Sequence, residues 1–218
     1  MFDSKYSKFL TGLLIVVILG IVGLLGYLGY DFYNKYFIDK DTKKFMEEYE
    51  NQIAEENEQN NDDHTDATNP LDGIETSPNG SSSKKYTYKG FDVSGTIEIP
   101  ATNLKYPILS KVSKKAIDTA VAMQYGPGPN QVGNTVIIGH NYRNGLFFSN
   151  NKKLANGDII YITDNSGTKL KYTIYNKYET TPEDTIYMNR DTKGGREISL
   201  STCTDDSKAR LIIWARAD

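Results

Sequence analysis

Three residues could build a nucleophilic site: Cys203, Arg210 and His140. Cys203 is the only cysteine, and His140 is one of two histidines, the other being His64. A single cysteine excludes an internal disulfide, a CxxC redox pair and a cysteine-rich zinc site. Taken alone, a lone cysteine is more often a core filler and a loop histidine more often solvated, so the surroundings must decide. Glu197–Cys203 and Arg210–Ala217 both read as strands, separated by the six residues Thr204–Ala209. Setting Cys203 opposite Arg210 sorts the two faces of an antiparallel hairpin. One face pairs Thr202 with Leu211, Leu200 with Ile213 and Ile198 with Ala215, and belongs on the core. The other pairs Cys203 with Arg210, Ser201 with Ile212, Ser199 with Trp214 and Glu197 with Arg216, and is expected outside it. This register brings thiol and guanidinium side by side at the mouth of the hairpin. A thiol beside a cation is favoured as the reactive thiolate. His140 follows the strand TVIIG (135–139) and opens the loop HNYRNGLFF, a strand-end position that displays an acid–base group.

The elements that must hold these residues begin near Tyr86. Short alternating or β-branched runs, punctuated by turn residues, mark an all-β segment. Strands are expected at Gly95–Pro100, Lys105–Leu109, Thr135–Gly139, Ile159–Thr163 and Lys169–Glu179, besides the two of the hairpin. Ser113–Met123 has helical spacing with Ser113 as N-cap. Residues 180–196 form a loop with Pro182 and Gly194-Gly195 beside the cysteine strand, where it would wall a substrate groove. Seven or eight short strands and one or two short helices predict a mainly β fold, a closed or nearly closed barrel.

Charge is segregated along the chain. Residues 1–44 carry a net +2, residues 45–83 a net −11 with no Lys or Arg, and residues 84–218 a net +6, which sum to the overall −3. One uniform globule is excluded, and a nucleic-acid binder is disfavoured because the folded part is only mildly basic beside an acidic tether. Phe9–Tyr30 is an uncharged, mostly apolar run of 22 residues, long enough for a single N-terminal transmembrane helix. It is too long for a signal-peptide core, and no small-x-small cleavage site follows. The short tail before it and the large domain after it predict residues 1–8 in the cytoplasm and the rest outside. In 31–83, an acidic juxtamembrane segment and spacer, Phe45, Tyr49 and Ile53 have the spacing of one helical face. Residues 59–83 lack periodicity and read as a flexible spacer that includes His64. No shared core with the domain at 84–218 is evident, so that domain is expected to fold without anything before about Ser81.

Gly139-His140-Asn141, Ser199-Leu200-Ser201-Thr202-Cys203 and Arg210, seven residues after the cysteine, together resemble a sortase. Gly95–Pro100, with Leu104 and Pro107-Ile108, resembles that family's opening strands, and the likeness covers roughly 91–217. One mild departure is Ser199, where the family pattern begins with Thr. The resemblance implies an eight-stranded sortase barrel and a cysteine transpeptidase of the Gram-positive envelope. Such enzymes cleave a Leu-Pro-X-Thr-Gly-like signal near the C-terminus of secreted proteins and pass the acyl group to a peptidoglycan-precursor amine. It further implies Cys203 as nucleophile, His140 as acid–base and Arg210 as oxyanion and substrate stabiliser. The flanking Asn141, Ser201, Thr202 and Thr204 are then candidates for substrate contact. No metal or other cofactor is required, although some relatives bind calcium near the loop that here carries Glu179, Glu183, Asp184 and Asp191. Gly-His-Asn is similar to class B members, but residues 180–196 are too short for their long helix, so the subclass stays open.

Two other classes compete. In a papain-like peptidase or amidase the cysteine normally precedes the histidine, whereas here His140 comes 63 residues before Cys203. In a non-catalytic anchored binding module His140 would be dispensable.

Overall fold

The computed structural model describes residues 4–62 and 85–218. The acidic spacer and His64 lie outside these residues, except for 59–62 at the end of the first helix. The chain divides into two compact units, 1–41 and 42–218. Helix α1 (Ser4–Asp62) contributes to both. In the first unit its apolar side chains are exposed along the run, and this is the one helix among the described residues long and apolar enough to cross a membrane.

The second unit is built on nine strands: β1 (Tyr86–Tyr88), β2 (Phe91–Ile99), β3 (Leu104–Leu109), β4 (Val121–Tyr125), β5 (Gly133–Ile138), β6 (Ile159–Asp164), β7 (Lys169–Thr180), β8 (Arg196–Cys203) and β9 (Arg210–Ala217). Eight of them close a ring in the order β2-β3-β4-β5-β8-β9-β7-β6, with β6 returning to pair with β2. Closure removes the sheet edges that would otherwise invite pairing with other chains. β1 stands outside the ring on the first residues of β2, where β6 does not reach. Ile97, Ile108, Ile137, Ile162, Ile198 and Leu200 are fully buried and supply the branched side chains expected of a small barrel core.

The sequence expects a helix over Ser113–Met123, but α2 covers only Lys114–Ile117. Ser113 caps it as expected, its Oγ accepting from the Ala116 amide at 3.1 Å. Val121 and Ala122 instead pair with β3 in parallel, while Ala122 and Met123 pair with β5 antiparallel. Sheet pairing on both edges overrides the local spacing.

The Phe45–Tyr49–Ile53 face is helical, and it packs on the domain. Within the second unit Met46 and Tyr49 are buried, Phe45 and Tyr49 stack against each other and meet Tyr88 and Tyr86 of β1, and the Thr42 hydroxyl bonds Tyr88 Oη at 3.1 Å. Tyr49 Oη lies 3.1 Å from the Asp164 carbonyl and 3.0 Å from Asn165 Oδ1. Asn165 in turn donates to the Val93 carbonyl at 2.8 Å. The expectation that nothing before Ser81 shares packing with the barrel is thereby corrected. A single three-residue apolar stripe gives no partner in the sequence; β1 supplies it.

Candidate active site

β5 and β8 run parallel at the centre of the sheet, with Ile138 opposite Ser201. His140 and Cys203, each two residues further on, leave the same end of the barrel. β8 and β9 are antiparallel, with Cys203 opposite Arg210 and every pair of the proposed hairpin register present. Arg210 in turn faces Thr180 at the end of β7. Four adjacent strands thus deliver His140, Cys203, Arg210 and Thr180 to one rim. Arg210 Nη1 lies 3.0 Å from Cys203 Sγ and donates to it.

The loop carrying His140 is pinned from within. Phe147 and Phe148 are buried, Phe148 N donates to the His140 carbonyl at 3.0 Å, and Asn141 forms an isolated bridge with Phe147. Gly139 allows this close approach: a Cβ there would lie 2.9 Å from both the Phe148 ring and Val121 Cγ1. The imidazole Nε2 lies 2.9 Å from Asp118 Oδ1, just beyond α2, and Tyr142 Oη donates to the same oxygen at 3.2 Å. Burial, and then the Asp118 charge, push the Tyr142 phenol up to about 12.

The four candidates for substrate contact each make internal hydrogen bonds. Thr202 is buried and its hydroxyl donates to the Gly139 carbonyl at 2.7 Å, tying β8 to the root of His140. Ser201 is buried beneath the loop 181–195, with Tyr187 Oη at 3.4 Å. Asn141 Nδ2 donates to the Cys203 carbonyl at 3.0 Å and to Asp205 Oδ1 at 2.9 Å. Thr204 Oγ1 donates to Asp206 at 2.7 Å and accepts from the Ala209 amide, closing the β8–β9 turn. Asp205 is also held by Lys152 Nζ at 2.5 Å. These bonds, the Lys152 contact first, hold the Asp205 carboxyl below the usual carboxylate range. A small cleft of about 140 Å³ opens beside the thiol, lined by Asn141, Phe148, Lys152, Glu179, Cys203 and Asp205 among others.

The polar face of the hairpin is not outside a core, as the sequence suggests. Loop 181–195 covers it: Val136, Tyr187 and Ile212 form a small buried cluster, and Ser199 and Glu197 are 0% and 1% exposed. Arg190 anchors the loop, with Nη1 2.6 Å from Glu197 Oε2, Nη2 3.0 Å from Asn134 Oδ1, and the guanidinium 4.2 Å above the Trp214 ring. Arg216 completes the group at 2.6 Å from Glu197 Oε1. Burial pushes the Glu197 carboxyl up, but hydrogen bonds from Tyr175, Arg216 and Arg190 outweigh it and hold the group below its ordinary range. Asp184 and Asp191 serve turns of their own loop, accepting from the Ile186 and Lys193 amides at 2.8 Å each. No group of three acidic, His or Cys side chains gathers to hold a metal among the described residues. Sequence reading missed Asp118, Tyr142 and Lys152, whose partners lie 22 or more positions away, and Arg190, which itself sits in a loop that carries no periodic signal.

A closed eight-stranded barrel that brings Cys, Arg and His to one rim from adjacent strands defines a sortase-type domain. Residues 97–218 match the sortase domain family model, and the chain belongs to the sortase family. It is 32% identical over 127 residues to Sortase A of Bacillus anthracis, a match covering 56% of this chain and 58% of that protein. Among solved structures it is similar to Sortase A from Corynebacterium diphtheriae, with 28% identity, a TM-score of 0.53, and coverage of 59% of this chain and 61% of the other. Sortase C from Clostridium perfringens shares the fold at 23% identity and a TM-score of 0.51, with coverage of 58% and 70%.

Proposed function

We propose that this protein is a cysteine transpeptidase anchored in the plasma membrane by Phe9–Tyr30, its tail inside and its barrel outside. Its donor is a secreted protein bearing a Leu-Pro-X-Thr-Gly-like signal, and its acceptor is a peptidoglycan-precursor amine. One observation carries the reading: Arg210 Nη1 donates to Cys203 Sγ at 3.0 Å, at the barrel rim that also displays His140. Cys203 Sγ attacks the Thr carbonyl carbon, and the resulting oxyanion accepts from the Arg210 guanidinium, which cannot deprotonate. The C–N bond breaks as His140 gives its proton to the leaving amine, leaving a thioester on Cys203. The acceptor amine then attacks the thioester, its surplus proton passes to His140, and the thiolate is released. Loop 181–195, clamped by Arg190, forms a wall beside the thiol that selects the signal.

The test is mass spectrometry of the detergent-solubilised chain mixed with candidate signal peptides. A thioester adduct on wild-type protein, its absence in Cys203→Ala, and transfer to an added amine are expected. Cleavage by a folded Cys203→Ala protein would end the reading, and cleavage without transfer to any amine would favour a cell-wall peptidase.

A further inference from the structure

We propose that Asp118 is a positioning residue for His140: it accepts the Nε2 hydrogen and so leaves Nδ1 as the nitrogen that exchanges protons at the reaction centre. The inference rests on reading His140 as the acid–base group. Among the described residues Asp118 is the one that meets a ring nitrogen of His140, at 2.9 Å. Its own place is fixed. It terminates α2, where its amide donates to the Lys114 carbonyl at 3.1 Å. Three residues later Val121 of β4 packs so closely on Gly139 that even a methyl group would not fit there. The backbone on both sides of the Asp118–His140 contact is therefore set by the barrel. Tyr142 closes the arrangement: its hydroxyl donates to the oxygen that receives Nε2, and its ring lies 4.8 Å from the imidazole ring at a tilt of 33°.

Each proton can be followed through the cycle. An imidazolium carries protons on both nitrogens. When Nδ1 gives its proton to the leaving amine, the neutral ring that remains is the Nε2–H tautomer, the form Asp118 already accepts from. When the acceptor amine later returns a proton, Nδ1 takes it and Nε2 again keeps its bond. The ring need not turn between the two half-reactions. Charge pairing is the smaller part, because the His140 and Asp118 side chains are 30% and 47% exposed, and exposed ion pairs contribute little. Orientation is the larger part, so an uncharged acceptor should substitute.

The experiment uses the full chain in detergent micelles, with a fluorogenic peptide carrying the signal that forms the thioester adduct. General acid–base catalysis contributes roughly 10²–10⁴-fold, and loss of orientation should remove part of it. Asp118→Ala is expected to lower kcat by about tenfold while KM stays within about twofold. Asp118→Asn, whose carbonyl oxygen can accept from Nε2–H while Tyr142 donates to it as before, should stay within about threefold of wild type. Imidazole ¹⁵N NMR gives an independent readout. With only two histidines in the chain, His64→Gln assigns the spectrum. The neutral ring of His140 should be the Nε2–H tautomer in wild type and Asp118→Asn, and a mixture in Asp118→Ala. An unchanged kcat or an unchanged tautomer in Asp118→Ala overturns the proposal, as does a loss confined to KM. If His140→Ala is inactive while Asp118→Ala is normal, only the positioning role fails. If His140→Ala is itself fully active, the acid–base reading fails and this proposal goes with it.

Discussion

Replacing Arg210 by Lys separates two functions that one guanidinium could serve. In the hairpin Arg210 stands directly across from Cys203, and its Nη1 lies 3.0 Å from the sulfur. Directly opposed residues in an antiparallel pair have Cβ atoms roughly 4.5–5.5 Å apart, so a lysine ammonium can also reach the sulfur. Lys therefore keeps the positive charge beside the thiol. It loses the planar fork, whose second arm stays free for the substrate oxygen while Nη1 faces sulfur. If the arginine serves only to favour thiolate, Lys should work nearly as well. If its second donor meets the oxyanion, the loss should approach that of removing an oxyanion-hole donor, roughly 10²–10³ in rate. On the proposed oxyanion role we expect Arg210→Lys to lose at least about tenfold in kcat/KM, a barrier change of about 1.4 kcal/mol. The assay is peptide cleavage with an added amine, run beside Arg210→Ala and beside iodoacetamide alkylation of the thiol. Alkylation should be nearly normal in the Lys variant and slower in the Ala variant. Near-wild-type kcat/KM with Lys would refute the oxyanion role, and near-wild-type kcat/KM with both would remove Arg210 from the site.

Glu197→Gln removes the buried carboxylate that pairs with the half-buried Arg190, and breaking a buried ion pair typically costs about 3–5 kcal/mol. Because the Glu197 carboxyl is held below its ordinary range, the stability it contributes is present above the unfolded value of about 4.3 and fades as pH falls through the lower folded value. Thermal melts of wild type and Glu197→Gln should therefore lie furthest apart near neutrality and converge as pH falls through that lower folded value; a gap constant with pH would show that the charge contributes nothing. A chain beginning at Ser81 should still fold, since the ring closes without α1, but it should melt below a chain beginning at Thr42. Tyr49→Ala in the longer chain should reproduce most of that difference, at most about 3–5 kcal/mol for a buried aromatic. Equal midpoints for the two chains would mean that the packed helix adds no stability.

What the sequence discloses about this protein depends on the range over which each residue is decided. The hairpin is local: two strands and six loop residues carry their own face pattern, and that pattern alone is enough to set the register and to bring thiol and guanidinium together. The same local pattern cannot say what lies on top. Ser199, Ser201 and Glu197 are polar, and a polar face reads as solvent-facing, yet all three are buried because loop 181–195 folds over them and supplies Tyr187 and Arg190 as partners. Val121–Met123 fails in the opposite direction. Its spacing satisfies a helix, and only the strands on both its edges, contributed by residues outside the segment, make it part of β4. Asp118 falls between the two cases. Inside a helix running to Met123 it would be one charge on a solvated face. Once the helix stops at Ile117 and the chain turns into β4, the same carboxylate is carried to the rim where His140 emerges. The catalytic candidates are legible because a strand end displays them, whereas the groups that hold them in place come from other strands and loops, and only the closed barrel brings the two sets together.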